Sequence, residues 1–242
     1  MKDTSENDSP LRLARPPSLS RAAADRLREA ILDGSLVQGQ HLVEIETARK
    51  LGISRGPLRE AFKMLAAEGL VEIREDCGVF VPNYSPDEME QMIVARAMME
   101  GMAARLFVLR AGPQDRARIR GLLARMVDGP METSSREWRE LDWKFHETIM
   151  IGSGNQFIMR AWRNLGAQLR VFMMQINPLY DQERPRVVKT HEALAAIVLG
   201  DDPDAAENFC RSTILRWGFQ VLGKPVPSDL AEDAGPDRTA KG

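Results

Sequence analysis

The sequence predicts a mainly α-helical protein in two parts: an N-terminal winged helix-turn-helix and a C-terminal all-α antiparallel helix bundle. Three observations predict it. Residues 44–71 read as two short helices around a tight turn. Two β-prone runs, Leu70-Val71-Glu72-Ile73 and Val79-Phe80-Val81, flank Asp76-Cys77-Gly78 as a hairpin or wing. From Ser85 to Leu222 the strand signal disappears and apolar residues recur at three-to-four spacing.

Within 44–71, Ile45 and Ala48 are expected on the inner face of the first helix, and Gly52 supplies the stop. Ser54 caps the second helix and Pro57 sits in its first turn, where a missing N–H costs nothing. Leu58, Ala61, Phe62 and Leu65 share one side of that helix, while Arg55, Arg59 and Lys63 recur every four residues on the other. Such a helix places its N-terminal side chains in the major groove of DNA. The expected DNA-binding set is Arg49, Ser54, Arg55, Gly56 and Arg59, with Gly78 at the wing tip. An ordinary solvated charged face has the same periodicity, and a hairpin turn needs glycine for its own geometry.

Residues 1–19 read as a flexible arm and 20–83 as the DNA-binding part. A bracing helix runs from Ser20, the expected cap, to Leu32. The bundle spans 84–222, with helical runs at Pro86–Arg110, Gln114–Val127, Ser134–Ile151, Gln156–Ile176, Gln182–Leu199 and Asp204–Val221. Residues 223–242 read as a loose tail.

Length and composition fit this division. A chain of 242 residues, 43% hydrophobic and 28% charged, suits two modest soluble domains. Net charge is only −2, and residues 20–83 carry nine Lys/Arg against ten Asp/Glu, so DNA binding has to come from where the arginines stand. Cys77 and Cys210 are too few for a disulfide framework, and a reduced cytoplasmic setting follows. The longest apolar run, Ala193 to Leu199, falls far short of the ~20 residues that span a bilayer.

Polar residues on the apolar stripes mark the second site. Asp142 and His146 share a stripe with Trp138, Phe145 and Ile149; His191 lies among Val187, Leu194 and Val198; Arg96 lies among Met92, Met99 and Ala103. They can converge on a cavity, with Asp142, His146 and His191 as ligands of a divalent metal and Arg96 as the cation for an organic acid. Equally, Asp142 can hold His146, a carbonyl can satisfy His191, and Glu100 can pair with Arg96.

The order and spacing of Leu27, Ile31, Asp33-Gly34-Ser35-Leu36, Gly39, Leu42, Glu44, Leu51-Gly52-Ile53-Ser54-Arg55, Pro57, Arg59-Glu60-Ala61 and Glu68-Gly69-Leu70-Val71 resemble the N-terminal domain of GntR-family transcription factors. Thr47 departs from that pattern where an apolar residue is usual, and Val37-Gln38 replaces the usual proline. Arg96-x-x-x-Glu100, Asp142-x-x-x-His146, Ser153-Gly154-Asn155 and His191 followed by Gly200-Asp201 resemble the FCD domain of the FadR branch. That resemblance implies a ligand-responsive regulator, by default a repressor, acting as a homodimer on double-stranded operator DNA. It implies a small carboxylate effector held by Arg96, His146, His191 and Thr213. It also implies Zn or Ni on Asp142, His146 and His191, although Thr213 stands where metal-containing members carry a fourth ligand, a histidine. No catalytic residue is expected. The rival readings are a metal-dependent enzyme built on Asp142, His146 and His191, and an architectural DNA-binding dimer; the first lacks a nucleophile motif or a spare glutamate near the three residues.

Overall fold

The computed structural model describes residues 18–129, 135–175 and 184–231. The N-terminal part contains α1 (Leu19–Leu32), α2 (Glu44–Leu51), α3 (Arg55–Ala67), β1 (Glu72–Arg74) and β2 (Gly78–Phe80). The strands pair antiparallel with Glu72 opposite Phe80. His41 joins the wing, bridging to Phe80 and stacking on its ring at 4.5 Å. Ala24, Leu27 and Ile31 of α1 pack on Leu58, Phe62 and Leu65 of α3 in one core.

Three expectations change here. Ser18, not Ser20, caps α1: its extended backbone lets the hydroxyl accept from the Arg21 N–H, while Ser20 is already helical. Leu19 therefore belongs to a helix and not to the arm, whose remaining residues 1–17 lie outside the described set. Ile45 is 68% exposed, although Ala48 is buried. At about 100° per residue Ile45 stands about 120° around α2 from Leu51, so this short helix turns Ala48 and Leu51 inward and leaves Ile45 out.

The second part contains α4 (Pro86–Arg110), α5 (Pro113–Val127), α6 (Ser135–Gly152), α7 (Gln156–Gln175), α8 (Arg184–Val198) and α9 (Pro203–Val221). A capping box between Ser85 and Glu88 starts α4. Asn155 caps α7 by accepting from the Phe157 and Ile158 N–H groups, which makes 152–155 a helix–helix turn. Close packing of α4 on α9 depends on Gly218, where an added Cβ would lie 2.5 Å from Ile93 Cγ2. Ser134, Ile176 and Gln182, three of the expected helix ends, lie outside the described residues. The expected tail folds back instead: Ser228–Ala231 forms a short α10, Val226 and Leu230 pack on the bundle core, and Lys224 pairs with Asp87 and Glu90. Residues 232–242 lie outside the described set. No helix among the described residues is long and apolar enough to cross a membrane.

The two parts touch through α7. Val171, 1% exposed, is buried in the N-terminal core together with Phe62 and Leu65, and its carbonyl accepts from Gln38 Nε2 at 2.7 Å.

Candidate functional site

On the N-terminal part, Gly52 ends α2 in the left-handed conformation, φ 66°, and turns the chain into α3. Ser54 takes the N-cap position with extended backbone, but its hydroxyl makes no capping bond. Arg49, Ser54, Arg55, Gly56 and Arg59 are all exposed. The Arg55 side chain makes no hydrogen bond among the described residues. Arg59 donates through Nε to Glu44 Oε1 at 2.7 Å and remains 61% exposed, while Lys63 pairs with Glu60. At the wing tip Gly78 has φ 104°, and a Cβ there would lie 2.4 Å from His41 Nε2. The protein's own packing therefore demands this glycine.

The bundle encloses a cavity of about 520 Å³. Arg96, Asp142, His146, His191 and Thr213 all line it, together with Cys210, Lys189, Arg216, Phe209 and Trp217. Donor atoms of Asp142, His146 and His191 lie within 4.8 Å of one another. His191 Nδ1 lies 2.7 Å from the Val187 carbonyl, which can only accept, so this nitrogen carries the proton. Nε2 faces Asp142 Oδ1 at 3.0 Å, and the two stand as acceptors unless Nε2 is protonated as well. Two acceptors that close need a proton or a cation between them. His146 Nε2 lies 3.8 Å from the same oxygen. Donors bonded at about 2.1 Å to one ion stand about 3–3.5 Å apart, so the three residues fit a divalent metal with a small adjustment at His146. Their far nitrogens fit it too, since metal-binding imidazoles direct the other N–H at a carbonyl or carboxylate. Thr213 Oγ1, in the same cavity lining, is buried without a hydrogen-bond partner among the described residues.

Glu100 lies beneath this group, 1% exposed. Its Oε1 accepts from Arg96 Nε at 2.8 Å and from Trp162 Nε1 at 2.7 Å, and its Oε2 faces His146 Nδ1 at 2.7 Å, close but poorly aligned. Burial pushes its carboxyl up, yet Arg96 and His146 outweigh burial and hold it at about 2. Asp142 is likewise held below the usual range: burial opposes, and His191, His146 and Arg96 prevail. Burial beside Glu100 pushes the Cys210 thiol up, keeping it protonated and unreactive.

A pH dependence follows. The folded value of Glu100 lies below its ordinary 4.5, so its stabilisation is fully present above about pH 4.5 and is lost as pH falls toward 2. Asp142 acts in the same direction. The melting temperature is expected to fall steeply across that window, and calorimetry at stepped pH should show a shallower fall for Glu100→Gln.

Comparison with known proteins places this geometry. Residues 91–216 match the FCD domain family and residues 19–81 match the bacterial regulatory proteins of the gntR family. The chain belongs to the GntR family, in its FCD-containing FadR subfamily. It is 28% identical over 74% of its length to a probable D-xylose utilization operon transcriptional repressor of Paenarthrobacter nicotinovorans, covering 77% of that protein. It is 26% identical over 77% of its length to the gluconate operon transcriptional repressor of Bacillus licheniformis, covering 80% of it. Its fold resembles that of E. coli McbR/YncC, with a TM-score of 0.68, 22% identity and coverage of 86% and 98% of the two chains. GntR-family proteins are transcriptional regulators and not enzymes, so the enzyme alternative finds no support in these matches. The chain is a DNA-binding transcriptional regulator with an effector-binding domain.

Two residues of the regulator's inner network escaped the sequence reading. Glu100 was expected only as a partner of Arg96, one turn away, and its contacts with His146 and Trp162 come from other helices. Trp162 carried a usable signal: it lies on the apolar stripe with Met159 and Leu169, and a buried indole N–H has to find an acceptor.

Proposed function

We propose that this regulator is a homodimeric repressor that binds a two-fold operator through paired α3 helices and is released by a small organic acid bound in the cavity, on a divalent metal held by Asp142, His146 and His191. One observation supports the metal: buried donor atoms of Asp142, His146 and His191 converge within 4.8 Å of one another. Zn²⁺ or Ni²⁺ bound there supplies a Lewis-acidic docking point for a carboxylate. Arg96 adds fixed positive charge from the wall, and Lys189 and Arg216 add more, against Asp142 as the acid of the lining. An excess of cations around a single carboxylate favours an anionic effector. The regulators of D-xylose and gluconate operons among the relatives support sugar acids as the first class to test. His191, His146 and Arg96 hold the Asp142 carboxyl below its usual range against burial, so it is ionised at neutral pH.

The test starts from chelator-treated protein. Zn²⁺ or Ni²⁺ at a hundredfold excess over Kd is expected to stabilise the fold by about 2.7 kcal/mol, read as a rise in melting temperature, and gluconate or glucuronate should raise it further only when metal is present. Asp142→Ala combined with His191→Ala should abolish both responses in a protein that still folds and still binds operator DNA. Metal stabilisation that survives the double substitution sinks the site, and elemental analysis of the untreated protein identifies the ion.

A further inference from the structure

The cavity and the DNA-binding elements share one helix. At one end of α7, Trp162, fully buried and stacked on Trp143 with centroids 4.3 Å apart, donates to Glu100, whose other oxygen faces His146 of the cavity. Gly166, one turn on, is seated so tightly against Trp143 that a Cβ would lie 2.6 Å from its ring. Nine residues beyond Trp162, about 13 Å along a rigid helix, Val171 is buried in the core that includes Phe62 and Leu65 of the recognition helix. Gln168 packs on the turn that ends α3: Gly69 has φ 73°, and a Cβ there would lie 2.6 Å from Gln168 Nε2. Tyr84 Oη donates to the Gly69 carbonyl at 3.2 Å, and Gln38 donates to the Val171 carbonyl. One end of α7 is thus bonded to the acid that backs His146 of the cavity wall, and the other is embedded behind the recognition helix.

We propose that Glu100 and Trp162 are positioning residues that make α7 the link between the cavity and the recognition helix, so that a change at His146 moves α3 through Glu100, Trp162 and the Val171–Gln168 seat. This rests on the regulator reading above. Packed helices and hydrogen-bonded side chains carry such coupling when the element they form has two discrete arrangements that both sites bias. A double-mutant cycle measures it directly.

The cycle uses full-length protein without ligand, with His146→Asn as the cavity perturbation and Trp162→Phe as the cut in the link. Trp162→Phe keeps the aromatic bulk and removes the N–H. Operator affinity is read by fluorescence anisotropy on duplex DNA from upstream of the protein's own gene. His146→Asn alone is expected to change affinity by about fivefold or more, and its effect should shrink to less than about twofold in the Trp162→Phe background. Equal effects of His146→Asn in both backgrounds, or none in either, overturn the link. Failure of the unmodified protein to bind its operator would instead overturn the regulator reading beneath it. If circular dichroism shows that Trp162→Phe has lost its helices, Gln168→Ala at the other end of α7 takes its place in the same cycle.

Discussion

Alanine at both Arg55 and Arg59 is expected to weaken operator binding by about 100-fold while leaving the melting temperature unchanged. The magnitude follows from two base-edge contacts of at least about 1.4 kcal/mol each, near the low end for bidentate arginine. The unchanged stability follows from the structure. The Arg55 side chain makes no hydrogen bond among the described residues, and the Arg59–Glu44 pair is an exposed ion pair of the kind that contributes little to folding. That pair has a second consequence: Glu44 holds the guanidinium through Nε, so Arg59 stands oriented on the helix before DNA arrives. Ordering cost is reduced where a side chain is already positioned. Anisotropy titrations at several salt concentrations check the assignment, because base contacts and phosphate contacts separate there. A variant that keeps full affinity removes α3 as the reading element. One that loses affinity equally for operator and unrelated DNA reduces the two arginines to phosphate contacts.

Much of this was legible in the sequence because it is local. Gly52, Pro57 and the Leu58, Phe62, Leu65 stripe set the helix-turn-helix by spacing alone, and the six bundle helices fall within two residues of where their periodicity places them, at every end that the structure describes. The convergence of Asp142, His146 and His191 was readable as three polar residues on inward faces, since an inward polar group has to meet a partner. What periodicity could not supply was which partner. The i, i+4 rule pairs Asp142 with His146, yet those atoms stand 3.8 Å apart, and His146 turns its other nitrogen to Glu100 on α4 while His191 takes Asp142. Local spacing says which residues share a face; only the packing of helices far apart in sequence decides which faces meet. The burial of Val171 in the N-terminal core is illegible for the same reason, because a valine on an apolar stripe looks alike whichever core receives it.

Replacing Glu100 by alanine should therefore cost about 3–5 kcal/mol of stability, the usual result of removing one partner of a buried ion pair. The loss has three sources. Arg96, 8% exposed and held above its ordinary value against burial by Glu100, would keep its charge with its hydrogen-bonded partner gone. Trp162 Nε1, on a fully buried side chain, would lose the acceptor at 2.7 Å. His146 would lose the carboxylate that fixes its ring, loosening the cavity wall as well as the fold. For a chain of this size the change corresponds to a fall in melting temperature on the order of 10 °C. Glu100→Gln separates charge from hydrogen bonding: its amide oxygen can still accept from Trp162, so it should lose less than alanine while still stranding Arg96. If Glu100→Ala melts within about 2 °C of the unmodified protein, a span worth under about 1 kcal/mol here, then water or a rearranged Asp142 serves Arg96 equally well. Glu100 would then be an incidental neighbour of the cavity and not the group that holds α4, α6 and α7 together around it.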